Sequence, residues 1–120
     1  IEGENPLYLP QAKIWKNSCS IGPAILMPEG IENPYDIDIT CKILRDNVIQ
    51  FEGTAYISQL KRKLDELVHY LVFENDIEPG TALMTGTCIV PPNEFTLQKG
   101  DRIEISSTKI GVLVNSITEN

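Results

Sequence analysis

The chain has 120 residues, 42% of them hydrophobic, and a formal net charge of −7. That suits one small domain able to bury a core and argues against a disordered chain. The acidic balance argues equally against nucleic acid as a partner, since phosphate binding needs clustered Lys and Arg.

Lys61-Arg62-Lys63 is the only basic run, and it reads as the solvated face of a helix. Cys19, Cys41 and Cys88 are odd in number and lack paired spacing, which points to free thiols in a reducing compartment. There is no apolar run long enough to span a bilayer and no leader-like segment, so no membrane partner and a cytoplasmic location are expected. The opening Ile1-Glu2-Gly3-Glu4-Asn5-Pro6 has no start-of-domain character and is expected to come from the interior of a longer protein.

In chain order, residues 1–13 read as irregular, because Pro6 and Pro10 bias Asn5 and Leu9 toward extended backbone. Ala24–Met27 is expected to be a short strand after Gly22-Pro23, and Pro28, Gly30, Asn33 and Pro34 mark a loop. The clearest β signal follows. Ile37, Ile39, Cys41 and Ile43 alternate with Asp38, Thr40 and Lys42, the period of a half-buried strand. Asp46-Asn47 suits a two-residue turn, so 37–45 and 48–54 are expected to form a hairpin.

The period then changes. Leu60, Leu64, Leu67, Val68 and Leu71 share one helical stripe, which predicts a helix over 58–74 with Ser58 as N-cap and Asn75 and Pro79-Gly80 beyond its end. After Gly80 the chain is expected to return to β, in short pieces at Thr81–Thr85 and Cys88–Val90 around Gly86. Gln98-Lys99-Gly100-Asp101 reads as a turn. A strand in which Ile103 and Ile105 alternate with Arg102 and Glu104 follows, then a last strand from Ile110 to near Ile117. Strands broken by one helix, without βαβ repeats, indicate an α+β fold, mostly β, with a mixed or antiparallel sheet.

Reactive constellations are few. No GxSxG elbow or phosphate-binding glycine loop occurs, and His69, the single histidine, lacks the partners a triad needs. Lys13, in Leu9-Pro10-Gln11-Ala12-Lys13, sits where a lysine could bind an anion or, if desolvated, lose its proton more readily; a plain surface lysine is the competing reading. In Met84-Thr85-Gly86-Thr87 the glycine permits close backbone approach to a ligand and the flanking hydroxyls suit an oxyanion; a strand bulge is the alternative.

Taken in order, Lys13, Gly22-Pro23, Thr85-Gly86-Thr87, Gly100-Asp101-Arg102-Ile103-Glu104-Ile105 and Ile110-Gly111-Val112-Leu113-Val114-Asn115 resemble the fumarylacetoacetate hydrolase family. The stretch Glu4 to Lys13 resembles its 2-keto-3-deoxy-sugar-acid dehydratase branch. The resemblance implies a β-sandwich roll of the fumarylacetoacetase C-terminal type. It implies a parent enzyme acting on small 2-oxo acids with Mg²⁺ (or Mn²⁺ or Ca²⁺), by hydrolysis, isomerisation, hydration or dehydration, with dehydration favoured. It places Lys13 and Glu2 among the catalytic groups and Thr85, Gly86 and Thr87 at the substrate carboxylate. The family's metal ligands would lie before Ile1, so residues 1–120 are expected to be a partial catalytic domain without the metal-binding part. Such a chain is expected to bind no cation tightly and to be inactive alone. A homo-oligomer is implied too. The alternative is a non-catalytic β-rich interaction module that kept the fold but lost the metal site.

Overall fold

A computed structural model of the chain describes residues 5–118. The 37–54 hairpin forms as the alternation requires. Strands β1 (Asp38–Arg45) and β2 (Val48–Tyr56) pair antiparallel, with Ile39 opposite Ala55 and Ile43 opposite Phe51. Asp46 and Asn47 take φ of 50° and 62°, the left-handed geometry a two-residue hairpin turn demands and Asx residues tolerate.

Two further strands, β3 (Arg102–Ser107) and β4 (Gly111–Ser116), pair antiparallel with each other. β3 also pairs antiparallel with β1, setting Ile103 against Ile43. The result is one four-stranded antiparallel sheet in the order β2-β1-β3-β4, in keeping with a mostly β, α+β fold. The buried apolar centre among the described residues is small, at Ile37, Ile43 and Ala55. It lies on β1, on the residue just before it and on its hairpin partner, because a strand flanked on both sides has the most neighbours to cover it.

One fully buried charge closes the end of this sheet. Asp101 is 0% exposed and accepts from Arg45 Nε and Nη2, each at 2.8 Å, and from the Gln98 N–H at 2.8 Å. Arg45 Nη2 also donates to the Thr96 carbonyl at 3.2 Å. The bidentate pair satisfies the carboxylate that burial would otherwise penalise. Gly100, with φ of 87°, turns the chain into this position as only glycine does without strain.

Several expectations are corrected. The helix is shorter than 58–74. Helix α1 (Leu9–Ala12) is a single turn, and α2 covers only Leu64–Val72. Ser58 lies in a separate 3₁₀ turn, Ile57–Gln59, and is not a cap. Leu60 and Lys63 have ψ of 132° and 153°, so the apolar stripe crosses an extended break. The N-cap position, Lys63, makes no side-chain cap; instead the Leu64 N–H donates to the Tyr35 hydroxyl at 3.1 Å. Asp65 and Glu66 in the first turn suit the positive end of the helix.

Ala24–Met27, Thr81–Thr85 and Cys88–Val90 do not form strands, since none finds a ladder partner among the described residues. Residues 6–12 are not irregular: a 3₁₀ turn at Pro6–Tyr8 leads into α1, where Pro10 falls in the first turn and needs no N–H partner. Among the described residues no helix is long and apolar enough to cross a membrane.

Candidate active site

The Thr85-Gly86-Thr87-Cys88 turn borders two hollows and is the most distinctive feature of the candidate site. Gly86 has φ of 87°, and a Cβ placed on it would meet nothing within 4 Å. The glycine is thus required by backbone conformation and leaves open space beside it. The Thr87 hydroxyl is engaged by its own loop, accepting from the Ile89 N–H at 3.0 Å and lying 3.3 Å from the Ile89 carbonyl. This Ser/Thr-type turn stiffens the bend.

Two hollows flank the turn. One is a niche of ≈30 Å³, about the size of one water, bounded by Ile39, Ala55, Ile57 and Leu60 as well as by Gly86–Ile89. The other is an open groove of ≈330 Å³ between Thr85–Cys88 and the opposite wall of Gln59–Arg62 and Leu67. That volume lies at the lower end of the ~300–1,000 Å³ typical of small-molecule sites. Gly53 packs behind the turn, where an added Cβ would lie 2.8 Å from Ile89 Cγ2. β2 and the turn therefore touch backbone to side chain.

Sequence reasoning missed the basic wall. Lys61 and Arg62, read as part of a solvated helix face, precede the helix and line the groove. No local signal marked them, because the wall exists only once Gln59–Arg62 is brought opposite the distant Thr85–Cys88 turn. Arg62 is drawn aside by Glu66, at 2.6 Å, and lies 6.0 Å from the Tyr70 ring centroid. Lys63 sits 4.9 Å over the Tyr35 ring. Lys61 has no hydrogen-bond, ion-pair or ring partner among the described residues.

Lys13 is the C-cap of α1. Its N–H donates to the Pro10 carbonyl at 3.1 Å, its carbonyl accepts from Ser18 Oγ at 3.3 Å, and its side chain is exposed. It is not on the wall of the Thr85–Cys88 groove. The turn thus brings Thr85, Gly86 and Thr87 together on one groove, and Lys13 is placed on a separate element. Glu2 lies outside the described residues.

The shifted titrations belong to the framework. The Arg45 guanidinium, then the Gln98 N–H, holds the Asp101 carboxyl down at about 2. The Thr108 hydroxyl and N–H lower Asp38. Burial raises the Cys41 thiol, which keeps it protonated and unreactive. Among the described residues no group of three or more His, Cys, Asp or Glu is placed to hold a metal. A resident cation does not fit residues 5–118 on their own.

Comparison with known proteins places the chain. Residues 2–118 match the model described as "Fumarylacetoacetate (FAA) hydrolase C-terminal". The chain is 44% identical over 117 residues to a 2-dehydro-3-deoxy-D-arabinonate dehydratase of Saccharolobus solfataricus, covering 98% of this chain and 39% of that protein. It is 42% identical over 118 residues to a probable 2-keto-3-deoxyxylonate dehydratase of Haloferax volcanii, covering 98% of this chain and 41% of that protein. A mitochondrial oxaloacetate tautomerase of Rattus norvegicus is 26% identical over 112 residues, covering 88% of this chain and 34% of that protein. A solved 2-keto-3-deoxy-D-arabinonate dehydratase, complexed with magnesium and 2,5-dioxopentanoate, superposes with a TM-score of 0.94 at 43% identity, over 99% of this chain and 42% of that one. The chain thus spans about two fifths of the length of the dehydratases it matches. On the match across residues 2–118, the chain belongs to the fumarylacetoacetate hydrolase family.

Proposed function

We propose that this chain is the C-terminal part of the catalytic domain of a magnesium-dependent dehydratase acting on a 2-keto-3-deoxy sugar acid. The observation that carries this reading is the gap in identity within one family. Two sugar-acid dehydratases stand at 44% and 42%, against 26% for an oxaloacetate tautomerase. The superposition on the complex with 2,5-dioxopentanoate supports a five-carbon 2-oxo acid as the ligand class.

The chemistry is a loss of water. A 2-keto-3-deoxypentonate gives up a proton at C3, acidified by the neighbouring C2 carbonyl, and the C4 hydroxyl leaves as water. The C3–C4 double bond so formed shifts to C4–C5 as one proton leaves C5 and another returns to C3. The resulting enol gains a proton at C4 while its hydroxyl loses one, which leaves the aldehyde of 2,5-dioxopentanoate at C5. In this reading the Thr85-Gly86-Thr87 turn holds the substrate carboxylate, and Lys13 takes or returns a proton at C3 or C4. Glu2 is a further substrate-facing group. The cation and its ligands are supplied from outside residues 5–118, in an enzyme expected to assemble as a homo-oligomer.

The test is turnover by the full-length protein with Mg²⁺ on 2-keto-3-deoxyarabinonate and 2-keto-3-deoxyxylonate, followed by proton NMR. Appearance of the C5 aldehyde supports the reading. No product from either acid, together with turnover of oxaloacetate, overturns it. Residues 1–120 expressed alone are expected to give no product under the same conditions; product from that chain would refute the assignment of the metal ligands to another part of the protein.

A further inference from the structure

We propose that Lys61 is a specificity-determining residue of the groove, giving its ammonium group to the carboxylate of the bound 2-oxo acid opposite the Thr85–Cys88 turn. The inference rests on the dehydratase reading and adds to it a residue from the other wall.

Three observations converge. First, the groove is two-sided: Thr85–Cys88 forms one wall and Gln59–Arg62 with Leu67 the other, around ≈330 Å³. The cationic residues of that second wall are Lys61 and Arg62. Second, the basic run divides its labour. Arg62 is paired with Glu66 at 2.6 Å, and Lys63 is stacked on Tyr35 at 4.9 Å. Lys61 alone of the three is left without a partner among the described residues. Third, the Gly86, Thr87 and Cys88 N–H groups donate to no acceptor among the described residues. Gly86, with φ of 87°, is the kind of residue that turns successive N–H groups into an anion-receiving concavity. The Thr87 hydroxyl is already bonded to its own loop. Backbone donors on one wall and an exposed cation, unpaired among the described residues, on the other make a complementary pair for a carboxylate. The chain's net charge of −7 gives that local positive wall a second use, since an acidic surface repels an anionic substrate elsewhere.

The experiment compares Lys61→Gln, Lys61→Arg and Lys63→Gln in the full-length protein. Lys63→Gln removes the same unit of charge two positions away and serves as the control. Lys61→Gln is expected to raise KM roughly tenfold or more, the loss of one charge-assisted hydrogen bond. It is expected to leave kcat within about twofold. Lys61→Arg is expected to recover most of the affinity, and Lys63→Gln to leave KM unchanged. An unchanged KM in Lys61→Gln, with wild-type protein active, overturns the inference while the dehydratase reading stands. Equal KM rises in both glutamine variants also overturn it, because general field effects then suffice. If wild-type protein converts no sugar acid, the dehydratase reading fails by itself. The Lys61 assignment is then decided by calorimetric titration of Mg²⁺ and oxalate into wild type and Lys61→Gln: weaker oxalate binding in the variant upholds it, and equal binding refutes it.

Discussion

Gly53→Ala tests whether the sheet sets the position of the Thr85–Cys88 turn. Gly53 lies mid-way along β2, opposite Cys41, and its backbone is not in the left-handed region. An alanine there is therefore unstrained in itself, and the cost is steric. The new methyl would stand 2.8 Å from Ile89 Cγ2 and 3.2 Å from Phe51 Cζ, where ordinary contact starts at 3.4 Å. The phenyl edge can swing by the small amount it needs. Ile89 cannot, because its Cγ2 sits on a β-branched carbon with a stiff χ1 and its N–H is tied to the Thr87 hydroxyl. The displacement thus passes from β2 into the Thr85–Cys88 turn. Overpacking of this size costs about 1–3 kcal/mol. At roughly 3 °C per kcal/mol, that is a fall of ~3–9 °C in melting temperature. The assay is thermal unfolding followed by circular dichroism, together with KM for the sugar acid, which is expected to rise. Gly22→Ala is the control: its Cβ would meet nothing within 4 Å, so it is expected to be neutral or slightly stabilising. If both variants melt alike and Gly53→Ala keeps its KM, the coupling between β2 and the turn is refuted.

Asp101 gives a pH dependence. Its folded-state value of about 2 lies below the ordinary 3.8, so the ionised carboxylate favours the folded state. That contribution is complete above pH ~4 and is lost as pH falls through about 2. Asp101→Asn is expected to lower the melting temperature at pH 7 and to flatten the decline between pH 4 and pH 2; parallel acid titrations of both proteins check this. Lys13→Met is expected to cut kcat at least ~100-fold, the usual scale of a lost acid–base group. Its melting temperature should stay near wild type because the side chain is exposed. Near-normal turnover in Lys13→Met would remove Lys13 from the chemistry.

The parts of the fold that local pattern controls were legible. Alternation from Ile37 to Ile43 and the Asp46-Asn47 pair contain all that a hairpin needs, and the β1–β2 ladder follows. Ile103 and Ile105, and the strand after Ile110, were legible for the same reason. Pairing between distant segments was not. Ala24–Met27 has strand-like residues but no ladder partner among the described residues, and a ladder is a property of two segments. The helix was overextended because an apolar stripe records which residues face inward, not which backbone carries them. Leu60 faces the Thr85–Cys88 side from an extended residue, in phase by coincidence with Leu64, Leu67 and Leu71. At the candidate site, the turn was readable from Thr85-Gly86-Thr87 because the positive φ demands glycine. The opposing wall was not, since Lys61 and Gly86 meet only through the course of the intervening chain. Asp101 was readable as a turn residue. Its buried pairing with Arg45, 56 positions earlier, carried no local signature.

The order of strands in the sheet has a consequence for assembly. β1 with β2, and β3 with β4, are each closed by short connections and can zip within microseconds. The central seam between β1 and β3 must instead capture segments separated by more than fifty residues. Such a closure loses chain entropy before any contact compensates it. Two ready-made hairpins colliding edge to edge, then locked by a guanidinium clasp at one end, is the sequence of events this topology favours. On that order, α2 and the Thr85–Cys88 turn, which lie between the two hairpins in the chain, are expected to settle after the seam has shut.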